Sequence, residues 1–265
     1  MGGSQGAEVL EGKVAVVTGA SRGYGFATAK LFMAAGARVA LLARSAAPLE
    51  EAARELGPGC LALATDIGDA DSVRRAFRGV GEEFGGLDVL VNNAACGRVG
   101  KVEHASDEDL RAMLETNLLG AIYCAREAIP LMRATGGGHI VNVSSDSARH
   151  PFPYLCVYAA TKGGLEVFST ALRDEVQADG IGVTLLRPGA SRVVGEGGLR
   201  ASTFGAGWDP EIAAEAAALW ERLGYDHFSA GRSGGMEPES VAASILHTVT
   251  RPDHANIDVL EIRAS

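Results

Sequence analysis

The chain has 265 residues, enough for one large α/β domain, and no stretch in its middle reads as a linker between two smaller ones. With 24 Lys and Arg against 33 Asp and Glu the net charge is −9, and no basic block interrupts it. Nucleic acid and anionic membrane are thereby excluded as main partners. Cys60, Cys96, Cys124 and Cys156 stand far apart, so free thiols in a reducing cytoplasm are expected, not disulfides or a zinc site. No apolar run has the length of a membrane span, and the N-terminus lacks a charged-then-apolar signal pattern. Residues 1–11 read as a flexible tail and residues 12–265 as a single domain.

Taken in order, apolar strands alternate with helices. Lys13 to Val17 is a short β-branched run, and the stretch through Ala27, Leu31 and Phe32 is a helix closed by Gly36. Arg38 to Ala43 and Leu61 to Ala64 follow as strands. Val73, Phe77, Val80 and Phe84 fall at i, i+4, i+7 and i+11, the stripe of an amphipathic helix. Leu87 to Val91 is the fourth strand, residues 107–133 are expected to be helical, and Ile140 to Val143 is strand five. Leu165, Phe168, Leu172 and Val176 stripe the next helix, and Ile181 to Leu186 is strand six. Asp209 with Pro210, and later Pro238, open two more helices in the manner of N-cap and first-position residues. Ile257 to Ile262 is the last strand. This alternation predicts a doubly wound, Rossmann-type parallel sheet in three α/β/α layers.

Gly19, Gly23 and Gly25 form G-x-x-x-G-x-G between the first strand and its helix. Glycines there let the backbone approach a pyrophosphate, whose charge the helix N-terminal N–H groups would meet. An ordinary glycine-rich turn would look similar, but ligands of open α/β sheets lie at this end of the strands. The tip of strand two chooses the dinucleotide. An acid there would hold the 2′-hydroxyl of NAD, whereas this chain reads Ala43-Arg44-Ser45. Arg22 in the glycine loop and Arg44 at the strand tip could grip a 2′-phosphate together, so NADP(H) is the expected cofactor.

At the end of strand five stands Ser145, and thirteen residues on come Tyr158 and Lys162. Four apart on a helix, the phenol and the ammonium share one face. Such a pair is also common as an exposed helical feature, so its weight depends on the sheet around it.

Together these motifs resemble the short-chain dehydrogenase/reductase family in its single-domain form. The matching pieces are Thr18-Gly-Ala-Ser-Arg-Gly-Tyr-Gly25, Asp66-Ile67, Asn92-Asn-Ala-Ala95, Asn117, Ser145, Tyr158-Ala-Ala-Thr-Lys162 and Pro188-Gly189, in the family's order across residues 12–190. The resemblance implies that Tyr158 is the general acid or base, Lys162 its electrostatic support and ribose contact, and Ser145 the donor to the substrate oxygen. Asn117, at a kink in its helix, would hold a water linking Lys162 to solvent. It further implies cofactor contacts from Gly19, Ser21, Arg22, Gly23, Tyr24, Gly25, Arg44, Ser45, Asp66, Ile67, Asn93, Ala94, Tyr158, Lys162, Pro188, Gly189 and Ser191. No metal is expected. The implied activity is NADPH-dependent reduction of a carbonyl substrate, or alcohol oxidation in reverse, by a cytoplasmic homo-oligomer, tetramer or dimer. Lys162 and the oxidised nicotinamide would lower the phenol's pKa.

Three positions depart from the pattern. Ala95 replaces a usual Gly, Tyr24 a small aliphatic residue, and Val193 a Thr that often bonds the carboxamide. They leave a second reading open, a catalytically idle NADP(H) sensor or scaffold of the same fold. The segment 190–235, with Phe204, Trp208, Trp220, Tyr225 and Phe228, reads as a substrate lid over an apolar or aromatic pocket. An enoyl reductase would space its Tyr and Lys more widely, and a nucleotide-sugar epimerase would need a longer chain.

Overall fold

The strands are Val14–Thr18 (β1), Arg38–Ala43 (β2), Cys60–Ala64 (β3), Val89–Asn92 (β4), Gly138–Val143 (β5), Ile181–Pro188 (β6) and Val259–Ile262 (β7). They form one parallel sheet in the order β3-β2-β1-β4-β5-β6-β7 in a computed structural model that describes residues 9–189, 208–225, 235–252 and 255–264. β1 is buried along its whole length because helices cover both of its faces, as its unbroken apolar run requires.

The helices are Gly23–Ala34 (α1), Ala46–Leu56 (α2), Ala70–Phe84 (α3), Asp107–Leu114 (α4), Gly120–Ala134 (α5), Cys156–Val176 (α6), Pro210–Arg222 (α7) and Pro238–Val249 (α8). Successive side chains of β1 point to opposite faces and so seed two cores. Ala15 and Val17 pack with Phe26 and Phe32 of α1, Leu49 of α2 and Ile245 of α8. Val14 and Val16 pack with Phe77 of α3, Cys124 of α5 and Leu172 of α6. The expected stripe of α3 is accordingly buried at Val73, Phe77 and Val80, while Asp69 caps its first turn through Asp71 and Ser72 N–H.

Strand order reverses between β1 and β4, and the register Val17 to Val91 and Asn92 to Asn142 brings the ends of β1, β4 and β5 to one edge. That edge is where a ligand of such a sheet sits. Here the chain supplies Gly19, Asn93 and Ser145.

Two details add to the sequence expectation. Leu10, read as part of the tail, is only 3% exposed and its N–H bonds the Ala35 carbonyl at 2.9 Å. The helix expected over 107–133 carries a π-helical turn, Glu115–Leu119, where the resemblance put a kink at Asn117. No helix among the described residues is long and apolar enough to cross a membrane.

Candidate active site

Ser145 leaves β5 in an extended conformation and caps the short turn Asp146–Ala148. Its Oγ accepts from the Ser147 N–H at 3.2 Å and from the Ser147 hydroxyl at 3.0 Å. With its lone pairs engaged, its own hydrogen is left to point outward. The neighbour it meets is the Tyr158 phenol.

Tyr158 lies in the first turn of α6, and Lys162 one turn later is 2% exposed. The ammonium donates to the Val143 carbonyl at 2.7 Å and stands 5.9 Å from the Tyr158 ring centroid. Burial drives both groups toward their neutral forms. It raises the Tyr158 phenol, with the Ser145 hydrogen bond pulling the other way. It lowers the Lys162 ammonium to about 8. In the protein alone burial thus outweighs the lowering of the phenol pKa that the resemblance implies.

Asn117 sits in the π turn at 1% exposure. Its Oδ1 accepts from Cys96 N–H at 2.8 Å, while Nδ2 donates to Cys96 O at 2.8 Å and Thr161 Oγ1 at 3.1 Å. Thr161 in turn donates to the Tyr158 carbonyl at 2.7 Å. Asn117 thereby ties the loop after β4 to the turn that carries Tyr158. Both amide hydrogens are spent inside the protein, so it can hold a water only as an acceptor.

At the nucleotide end, Gly19 and Gly23 have φ of +66° and +58°, which favours glycine. A Cβ on Gly25 would meet the Gly19 carbonyl oxygen at 2.4 Å, so the third glycine brings α1 against the loop. Thr18 knits the switch point: its hydroxyl accepts from the N–H groups of Asn93 and Ala94, both at 3.0 Å. Asn93 Nδ2 donates to Thr18 O at 2.8 Å. Sequence reasoning missed Thr18, although it opens the glycine motif.

The nucleotide end fits the phosphates of a dinucleotide on two counts. The N-terminus of α1 has no capping side chain and no acid in its first turn. Among the described residues, the guanidiniums of Arg22 and Arg44 have no hydrogen bond or ion pair, and Arg44 with Ser45 is exposed at the tip of β2. Asp66 is exposed and accepts from Gly68 N–H at 2.9 Å, next to buried Ile67. Gly189 follows Pro188 out of β6, its N–H on the Ile262 carbonyl. Tyr24 packs at the edge of the first core. Ser21 is half-buried within the glycine loop. Ser191, Val193, Phe204 and Phe228 lie outside the described residues.

Tyr158 shares an apolar cluster with Met113, Phe152, Leu155 and Trp220. Two indoles fasten α7 over it: Trp208 Nε1 donates to Gly97 O at 3.0 Å and Trp220 Nε1 to Pro153 O at 2.8 Å. Phe152 is buried against Trp220 and Tyr225. No cluster of metal-binding side chains occurs among the described residues.

A parallel sheet with a glycine cradle at its switch point defines a dinucleotide-binding α/β protein. The sequence profile of the short chain dehydrogenase family matches residues 13–199, and the chain is an oxidoreductase belonging to that family. An uncharacterized oxidoreductase of Staphylococcus aureus is 27% identical over 256 residues, covering 96% of this chain and 98% of that one. A metagenomic short-chain oxidoreductase solved in complex with NADP superposes with TM-score 0.77 at 28% identity, over 97% of this chain and 99% of that chain. The 3-ketoacyl-(acyl-carrier-protein) reductase of Brucella melitensis, complexed with NADH, gives TM-score 0.79 at 30% identity, over 96% and 98%.

Proposed function

We propose that this oxidoreductase reduces small to medium apolar or aromatic carbonyl compounds with NADPH, and oxidises the alcohols in reverse. The observation that carries the reading is the placement of Ser145, its lone pairs taken by Ser147, against a buried phenol one turn from a buried ammonium. With the dinucleotide's pyrophosphate held at the glycine cradle, its nicotinamide would supply the hydride and, once oxidised, a positive charge. Ser145 donates to the substrate oxygen as negative charge develops there. Tyr158 gives that oxygen its proton in reduction and removes it in oxidation. Lys162, protonated below about 8, stabilises the phenolate left behind. Asn117 fixes the turn that presents them and accepts a hydrogen bond from a relay water. The apolar surroundings of Tyr158 favour an uncharged substrate.

One solved neighbour is complexed with NADP and another with NADH, so cofactor choice rests on this chain's own residues. Arg22 and Arg44 favour NADPH, because two unpaired guanidiniums attract a 2′-phosphate and repel nothing in it. Arg44→Asp is expected to raise the Kd for NADPH by about 10- to 100-fold, the cost of a charge-assisted contact, while NADH changes much less. Fluorescence titration reads both constants. An equal loss for the two cofactors would contradict the clamp.

The reading includes self-association. Leu114, Leu119 and Val167 are exposed apolar side chains on α4, the π turn and α6. Such a face suits a second copy of the chain, and sedimentation at a monomer mass would remove that part of the proposal.

A further inference from the structure

Both neighbours of Ser145 are held by charged side chains. Ser144 donates to Glu166 Oε1 at 3.0 Å, and Arg187 grips Glu166 in a bidentate pair at 2.8 and 2.9 Å. Arg187 reaches Glu261 at 2.9 Å, Glu261 accepts from Arg263 at 2.5 Å, and Arg263 donates to Asp146 at 3.0 Å. The chain of contacts starts at Ser144, ends at Asp146, and closes across the one residue between them. Glu166 stands at i+4 from Lys162, so it extends the Tyr158–Lys162 stripe by one more turn of α6. Asp146 is 2% exposed and Arg187 5%. Burial works against the Glu166 carboxylate, but hydrogen bonds from Arg187 and Ser144 hold it below its ordinary value.

Stability is a poor reason for such an arrangement, because well-packed apolar residues commonly match or exceed a buried pair such as Arg187–Glu166, and exposed pairs such as Arg263–Glu261 are worth little. Geometry is a better one. We infer that this ring of charge positions the Ser145 hydroxyl, and that Glu261 and Arg263 at the C-terminal strand act on the reaction through it. The inference rests on the carbonyl-reduction reading above. Fixing the residues on both sides leaves the side chain between them little freedom, and a misplacement near 1 Å can cost about a hundredfold in rate. Glu261 and Arg263 are positioning residues and touch neither substrate nor cofactor in this scheme.

The test uses the full chain with NADPH and 4-nitrobenzaldehyde, comparing Arg263→Met, Arg263→Lys and Glu261→Gln. Arg263 is 52% exposed in its side chain, which favours folding of its variants. Arg263→Met and Glu261→Gln are expected to lower kcat by about 10- to 100-fold with KM for NADPH within about twofold, and Arg263→Lys to recover most of the loss. Amide exchange in peptides covering 144–150 should accelerate in Arg263→Met while β1 stays protected. A kcat within about twofold of the unaltered protein, or exchange rising throughout the sheet, overturns the inference and leaves an ordinary staple for β7. Tyr158→Phe in the same assay separates the two levels. If it retains turnover, the functional reading fails and this inference with it; if it alone loses turnover, only the positioning role fails. The exchange measurement decides even where 4-nitrobenzaldehyde is not turned over.

Discussion

Tyr158→Phe is expected to lower carbonyl reduction by about a thousandfold while the Kd for NADPH stays within about threefold, because it removes one proton and little surface. The phenol is buried, and no other described acid is bonded to Ser145 in its place. Cys96 lies close enough to influence both Tyr158 and Lys162, yet its thiol is engaged with the Ala112 carbonyl at 3.4 Å. Substitution should cost stability only about 1 kcal/mol, the net worth of one hydrogen bond. Steady-state kinetics beside a cofactor titration distinguish the two effects. Retention of more than about a tenth of the turnover would mean that the proton comes from elsewhere.

Lys162→Met is expected to do two opposite things: remove most of the turnover and stabilise the fold at neutral pH. The folded pKa of about 8 lies below the ordinary 10.5, so between those values the unfolded chain binds the extra proton. Stability therefore rises with pH across that window, and the full cost of the buried ammonium is felt below about 8. A gap of that size corresponds to about 3 kcal/mol. Leaving the Val143 carbonyl without its donor offsets about 1–2 kcal/mol of the gain. The net is a melting temperature a few degrees higher at pH 7, by about 2–4 °C per kcal/mol for a chain of this size. By pH 10 to 11 most of the advantage should be gone. Thermal melts at both pH values check the sign, and a Met variant less stable at pH 7 would refute the assignment of strain to this lysine. The protein keeps a destabilising charge where the phenolate would need it.

Local signals made the sheet legible. β-branched runs, a glycine cradle and Asp-Pro helix starts act within a few residues, and each stands where the sequence places it, with edges shifted by one or two positions. Ser145, Tyr158 and Lys162 converge for the same reason, since a strand end and one helical turn fix most of their geometry. The π turn at 115–119 was readable only through the resemblance, which put a kink at Asn117. It depends on Asn117 bonding Cys96 and Thr161, 21 and 44 positions away. Least readable was the ring around Ser145, where Asp146 meets Arg263 across 117 positions. Arg187 and Glu261 come side by side only through the pairing of β6 with β7, which local sequence does not show. Glu166 could have been found by continuing the Tyr158–Lys162 spacing one more turn.

Hydride transfer itself is the central claim, and NADPH carrying deuterium at the transferring C4 position reads it directly. Incubated with the protein and a panel of aromatic and aliphatic aldehydes and ketones, it should yield an alcohol bearing one deuterium on the former carbonyl carbon, in step with NADPH consumed. NADPH left intact across the panel, or an alcohol without deuterium, would contradict the account.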